Sequence, residues 1–329
     1  MNTLSLDGVK LQAVYSCLPE RSEDNLARCA EIYGSEAKGL SIVKATGIKT
    51  RRVVDEGTTS LDLCVVAADH LIKDAGVPLD EIGAVIDVTF TPARTMPCNA
   101  CQAQARLGLP KNIVAFDINL ACSGWAYGLY TAGMFAKACG KKVLLLDGDT
   151  QTTHMDKSDI ATVPVMADAG TATLIEPTAE SGTSWQFAFL TDGAKGDALT
   201  LPFGGTIAMD GLGIFKFVTM DVLYFIRDFM AQVGVTPERL DAFVPHQANV
   251  FMIQQIAKKL KFAPEQLWLS GDVLGNSSSA TVPTTIAYCA KPGKARKILV
   301  SGFGGGLSAS VGVIGLGADC KYRVFDYGT

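Results

Sequence analysis

The sequence predicts a duplicated α/β fold, and two internal echoes carry that prediction. Gly76-Val77-Pro78-Leu79-Asp80-Glu81-Ile82-Gly83-Ala84-Val85-Ile86 recurs in pattern as Gly234-Val235-Thr236-Pro237-Glu238-Arg239-Leu240-Asp241-Ala242-Phe243-Val244. Both stretches read as a helix end, a short turn and a buried strand. Lys142-Val143-Leu144-Leu145 is echoed in the same way by Lys297-Ile298-Leu299-Val300, a basic turn feeding an apolar strand. The two offsets, 158 and 155 residues, are nearly equal. Each matching strand follows a helix-length segment, so the repeat unit is expected to be an α/β half with a largely parallel sheet. The halves are expected at residues 1–175 and 176–329, meeting near 170–180 with no linker between them.

Composition agrees with a chain that buries most of itself: 329 residues, 48% apolar and only 19% charged. The formal net charge of −4 supplies no bulk attraction to nucleic acid or to an anionic membrane. The N-terminus, MNTLSLDGVKLQAVYSC, lacks the basic leader and long apolar core of a secretory signal, and the chain reads as cytoplasmic. Nine scattered cysteines suit buried thiols in a reducing compartment better than a disulfide framework.

Along the chain, Cys98-x-x-Cys101 lacks a second CxxC or a histidine close in sequence, which favours two buried small residues on a helix over a metal or redox pair. A strand is expected over Ile113–Ile118. The uncharged run Ile118–Ala136 is long enough to suggest a membrane span, but its polar residues and glycines, and the strand Val143–Leu146 that follows, favour a buried core helix. Asp168, in Ala-Asp-Ala-Gly-Thr, reads as part of a structural loop. Thr191–Asp210 carries four glycines and Pro202 without a period, the chemistry of a long loop. The glycines of Gly302-Phe303-Gly304-Gly305-Gly306 do not fit a dinucleotide loop, whose third glycine falls on Leu307.

Two positions could carry chemistry. Cys122 follows a strand and opens a helix expected over Cys122–Cys139, where the helix dipole and free N–H groups favour a thiolate. A buried, inert cysteine is the competing reading. In the repeat, the position equivalent to Cys122 is Asn276, expected at another helix start, so the two are expected to face each other between the halves. His246 lies in Pro245-His246-Gln247-Ala248-Asn249, after the strand Ala242–Val244 and before a helix beginning near Val250. A structural histidine and a reactive one both fit that address, but with Cys122 and Asn276 it could share one cavity.

The segments Ala121-Cys122-Ser123-Gly124, Val244-Pro245-His246-Gln247-Ala248-Asn249, Gly275-Asn276-Ser277-Ser278 and Phe303-Gly304-Gly305-Gly306 resemble, in this order, those of the β-ketoacyl-acyl carrier protein synthase III family. The resemblance spans nearly the whole chain. It implies a five-layered α-β-α-β-α thiolase-like fold and a Cys122–His246–Asn276 triad. It also implies an oxyanion hole of backbone N–H groups from Cys122 and Gly306, with no metal or cofactor. The implied reaction is acylation of Cys122 by an acyl-CoA or acyl-carrier thioester, then decarboxylative condensation with malonyl-acyl carrier protein, His246 and Asn276 donating to the enolate oxygen. Acyl transfer to a hydroxyl or amine, and a non-catalytic subunit of a heterodimeric synthase, are the alternatives, and the complete triad argues against the second. The resemblance further implies carrier docking by Lys258 and Lys259 with Lys216, and a homodimer in which Met96, within Thr89–Cys101, closes the partner's acyl pocket.

The chain also departs from the family. Where members that use acetyl-CoA carry a Trp and an Arg that clamp the nucleotide, this chain has Ser41 and Ala45, ahead of Thr46-Gly47-Ile48. Two further family arginines fall on His154 and Phe251. Lys44, Lys49, Arg51 and Arg52 are the nearby cations available to replace them.

Overall fold

The computed structural model describes residues 1–180 and 184–329. Two mixed sheets form the body. The first runs, in spatial order, Lys321–Asp326, Val9–Leu18, Ala169–Pro177, Lys142–Asp149, Ile82–Val88 and Val114–Ile118. The second runs Thr3–Asp7, Ser184–Thr191, Ser308–Leu316, Arg296–Gly304 and Ala242–Pro245. Each end of the chain thus lends an edge strand to the sheet otherwise built by the opposite half.

The repeat is visible as structure. Gly76 (φ +65°) and Gly234 (φ +67°) end the helices Ser60–Ala75 and Leu223–Val233 in the left-handed conformation that glycine adopts without a Cβ clash. A single 3₁₀ turn follows each, Leu79–Glu81 and Pro237–Arg239, and each turn leads into a strand. The strands are less parallel than the sequence suggests. Among the described residues the second sheet has one parallel pairing, Ala242–Pro245 with Arg296–Gly304, and is otherwise antiparallel. The reason is connection length: three residues join Arg296–Gly304 to Ser308–Leu316, enough for a hairpin and too few for a crossover.

Between the sheets lies the helix Gly124–Cys139, the core helix expected from the uncharged run, with the shorter helix Thr281–Cys289 beside it. Trp125, Leu129, Ala132 and Ala136 meet Ile86, Val88 and Leu145 of one sheet and Phe187, Val244 and Val300 of the other in one apolar cluster. Helices Ser60–Ala75 and Asn99–Arg106 cover the outer face of the first sheet. Helices Leu223–Val233 and Val250–Lys259 cover that of the second, completing five layers. Among the described residues no helix is long and apolar enough to cross a membrane.

Two local expectations change. Asn99–Arg106 packs on the edge strand Val114–Ile118, so Cys98 is only half-buried and Cys101 is exposed, both as free thiols. The stretch 191–210 is partly ordered, with a 3₁₀ helix Gly193–Ala198 and a small ladder, Leu199–Thr200 with Ala208–Met209. Backbone bonds between Asp192 and Leu307 tie it to the turn that carries Gly306.

Small residues let the central helix approach both sheets. A Cβ on Gly128 would come within 2.6 Å of Val88 Cγ2 and 2.9 Å of Leu145 Cδ1. Gly128→Ala ordinarily gains about 1 kcal/mol in a helix interior; here overpacking of about 1–3 kcal/mol reverses the sign. Denaturant unfolding of the variant is expected to show a lower midpoint, and an unchanged or higher one would contradict this packing.

Candidate active site

Residues 119–123 carry the chain from the strand Val114–Ile118 into the central helix, which begins at Gly124, so Cys122 stands just ahead of the first turn. The strand Arg296–Gly304 crosses this segment at very close range. A Cβ on Gly302 would lie 2.6 Å from the Cys122 carbonyl oxygen, and one on Gly304 would lie 2.9 Å from the Cys122 Sγ. The glycines at 302 and 304 therefore serve close approach to a cysteine. Cys122 is 8% exposed. Burial pushes its thiol up to about 12, and the charges of Asp149 and Asp147 act in the same direction. The thiolate expected from the helix end is therefore not the resting form: desolvation and two nearby carboxyls outweigh that field.

His246 continues the parallel pairing of its strand, its N–H donating to the Ser301 carbonyl at 2.7 Å. The ring meets Phe303 edge-on and is pushed down to about 3 by burial, so it is neutral. Its Nδ1 lies 2.7 Å from Thr281 Oγ1. The single hydroxyl proton of Thr281 goes to the Ser278 carbonyl, 2.7 Å away, and the same oxygen accepts from the Gln247 N–H. Thr281 Oγ1 is thus an acceptor toward the ring, which puts the ring's proton on Nδ1 and leaves Nε2 with its lone pair.

Asn276 lies in an extended stretch ahead of the 3₁₀ turn Ser278–Ala280 and the helix Thr281–Cys289, rather than at a helix start. Its backbone is clamped by Val165, Ala167 and the side chain of Gln151. The side-chain Oδ1 accepts from the Ser278 N–H at 2.9 Å, leaving the amide NH₂ as the donor this residue can offer. Cys122, His246 and Asn276 therefore converge on one short segment, since the Ser278 hydroxyl also donates to the Cys122 Sγ at 3.9 Å.

Sequence reasoning missed the polar groups beneath the site. Asp149 Oδ1 accepts from the Thr89 and Thr91 hydroxyls and the Phe90 N–H, and Asp147 Oδ1 accepts from the Ser279 hydroxyl at 2.6 Å. Burial raises both carboxyls, Asp149 to about 6. The available signals were the run Ser277–Ser279 inside an apolar region and two aspartates at the end of an apolar strand. Asp168 is a structural residue, accepting from Thr152 and from the Val54 N–H.

Of the remaining candidates, Gly306 lies two residues beyond the close approach of Gly304 to Cys122, and the others are exposed. Gly306 (φ +138°) sits in the hairpin turn after Gly304. Met96 is 83% exposed. Lys216 ends the helix Gly211–Lys216 and is exposed. Lys258 and Lys259 are exposed in the last turn of the helix Val250–Lys259, about 13 Å along its axis from the His246 end at 1.5 Å per residue.

Comparison with known proteins agrees with this geometry. The family described as 3-oxoacyl-(acyl-carrier-protein) synthase III matches residues 116–193, and its C-terminal counterpart matches 230–316. β-Ketoacyl-(acyl-carrier-protein) synthase III of Bartonella tribocorum is 33% identical over 318 residues, covering 91% of this chain and 96% of the relative. The enzyme of the same name from Streptococcus sanguinis is 33% identical over 306 residues, covering 87% and 92%. The crystal structure of 3-oxoacyl-(acyl-carrier protein) synthase from Burkholderia xenovorans superposes with a TM-score of 0.94 at 29% identity, covering 99% of each chain. The priming β-ketosynthase of the R1128 polyketide pathway superposes with a TM-score of 0.86 at 26% identity, covering 94% of this chain and 97% of that one. With relatives a third identical over nearly its whole length and a matching fold, the chain belongs to the β-ketoacyl-acyl carrier protein synthase III family of condensing acyltransferases, in the thiolase superfamily.

Proposed function

We propose that this condensing enzyme works through an acyl-Cys122 intermediate, with His246 and Asn276 as its acid–base and hydrogen-bonding partners. The observation that carries this reading is the gathering of the three side chains around Ser278. Because resting Cys122 is a thiol, its proton must leave as the sulfur attacks the donor thioester, and neutral His246 offers an unprotonated Nε2 to take it. The donor C–S bond then breaks and the released thiolate takes a proton from solvent, while the Cys122 proton stays on His246 Nε2 until condensation releases the Cys122 thiolate, which takes it back. The tetrahedral oxyanion is assigned to the backbone N–H groups of Cys122 and Gly306.

In the second half-reaction the malonyl thioester loses CO₂ and its thioester oxygen gains the enolate charge. The amide NH₂ of Asn276 is free to donate to that oxygen, and His246 joins it once Nε2 has gained a proton. The carbanion forms a C–C bond to the acyl carbon, and the bond to Cys122 breaks. A donor held ready for an enolate favours condensation over acyl transfer to a hydroxyl or amine, which forms none.

The donor end of the site differs from that of members using acetyl-CoA. Ser41 and Ala45 lie exposed on the helix Glu36–Thr46, and Gly47 packs against Val250, which brings that helix against the one bearing the exposed Phe251. Of the four nearby cations, Arg51 is fully buried, bonded to Asn25, Glu23 and the Met166 carbonyl. Arg52 pairs with Asp326, Lys49 with Asp272, and Lys44 is exposed. This supports a donor other than acetyl-CoA: a longer or unusual acyl-CoA, or an acyl group carried on a protein. Carrier docking is assigned to Lys216, Lys258 and Lys259, and a homodimer would cover the exposed Met96 at the partner's acyl pocket.

Cys122→Ala is expected to abolish acyl retention, read by intact mass after incubation with a panel of acyl thioesters; an adduct persisting there, or mapping to Cys98 or Cys101, would refute the assignment. His246→Ala should still acylate fully, though more slowly. Asn276→Ala should acylate at close to the normal rate, and both should lose malonyl decarboxylation by at least about a hundredfold, the scale of a lost oxyanion donor. Equal loss of the two half-reactions would rule out this division of roles. For the donor, loss of contacts each worth about 1.5–3 kcal/mol sets kcat/KM for acetyl-CoA at least about tenfold below that of the best alternative, and parity would dismiss the argument. The double substitution Lys258→Glu with Lys259→Glu should raise KM for malonyl-acyl carrier protein without slowing acylation, and an unchanged KM would exclude docking there. Sedimentation should give about twice the 34.8 kDa chain mass; a monomer alone would exclude the dimer.

A further inference from the structure

Ser278 occupies an unusual backbone position. It is completely buried, and its φ of +58° lies in the left-handed region that non-glycine residues seldom enter. Such a conformation persists where surrounding contacts impose it, and here each polar group of Ser278 is engaged with the site. Its N–H donates to Asn276 Oδ1, its carbonyl accepts from the Thr281 hydroxyl that holds His246 Nδ1, and its hydroxyl faces both the Cys122 sulfur, 3.9 Å away, and the Asp149 carboxyl.

We propose that Ser278 is a further catalytic residue of this enzyme: its hydroxyl stabilises the Cys122 thiolate as it forms, while its left-handed main chain positions Asn276 and His246. The proposal rests on Cys122 being the acylated nucleophile. The thiolate has few other sources of stabilisation. Asp147 and Asp149, on the strand Lys142–Asp149, face it with charge of its own sign, and neutral His246 adds no positive charge. A hydroxyl hydrogen bond favours the charged form of its acceptor, so the Ser278 contact opposes the burial that keeps the sulfur protonated. The proton that departs on attack goes to His246 Nε2, so Ser278 keeps its own and turns it from the Asp149 carboxyl to the sulfur as the thiolate forms.

Two substitutions separate hydroxyl from backbone. Ser278→Gly removes the hydroxyl and accepts φ +58° without strain; Ser278→Ala removes it and keeps the strain. The readout is the pH dependence of iodoacetamide alkylation at Cys122, mapped by peptide mass, with thermal unfolding recorded in parallel. In both variants the thiol should become harder to ionise by about one pH unit, the scale of a hydrogen bond to a charged group, and this is read as the alkylation rate below the midpoint. Well below the midpoint the rate should fall only about threefold, because a more basic thiolate is also a stronger nucleophile. If Ser278→Gly alkylates with the wild-type profile, whether or not Ser278→Ala falls, the hydroxyl plays no part and the proposal fails. If wild-type protein retains its acyl group on a residue other than Cys122, the nucleophile assignment fails, and the role of Ser278 with it.

Discussion

Burial of the helix Gly124–Cys139 between two sheets is the constraint on which the rest of the molecule depends. Its apolar residues face both ways, so one element supplies core to both halves and leaves neither half a complete core of its own. At about 25 cal/mol per Å² of buried apolar surface, such a doubly covered helix is a large share of the folding free energy. The same burial sets the site. Cys122 stands where the chain enters this helix, so the forces that hold the two sheets together also fix the position of the sulfur.

A site built at such a seam has to be polar inside an apolar core, and at the sulfur and the imidazole the chain meets that requirement with neutral groups. The Cys122 thiol and the His246 imidazole are both neutral at rest, and the carboxyls of Asp147 and Asp149 are raised toward the acid form. Isolated charges there would be costly to desolvate. Hydroxyls and amides supply fixed dipoles instead: Ser278 to the sulfur, Ser279 to Asp147, Thr89 and Thr91 to Asp149. At Cys122 and His246 charge then arises only during reaction, where donors already in place need not reorganise.

The periphery follows different physics. Helices Glu36–Thr46 and Val250–Lys259 touch through Gly47 and Val250 and present Ser41, Ala45 and Phe251 at the surface. Substitution there leaves the packed core untouched. Arg51 shows the reverse case: close in sequence to that surface, it is committed to the interior by Asn25, Glu23 and the Met166 carbonyl.

The sequence by itself determined the elements whose signal is local and periodic. The duplicated halves, the glycine helix ends at 76 and 234, the core helix and the strand before His246 follow from apolar patterning and turn chemistry, which act between near neighbours in the chain. The four motifs, specific in their order, singled out Cys122, His246 and Asn276, which the structure brings to one short segment. Strand direction in the second sheet was decided by a three-residue hairpin turn, and the exchange of edge strands by pairing between residues nearly the whole chain apart. The protonation of the site was likewise settled only in three dimensions. A helix end near Cys122 argued for thiolate, but desolvation depends on what surrounds the sulfur, and that includes Gly304, Asp149 and Ser278, which are remote in sequence. The engagement of Ser278 with all three partners could not be read from composition or spacing. It depends on a left-handed backbone that tertiary contacts impose on a residue with no local preference for it.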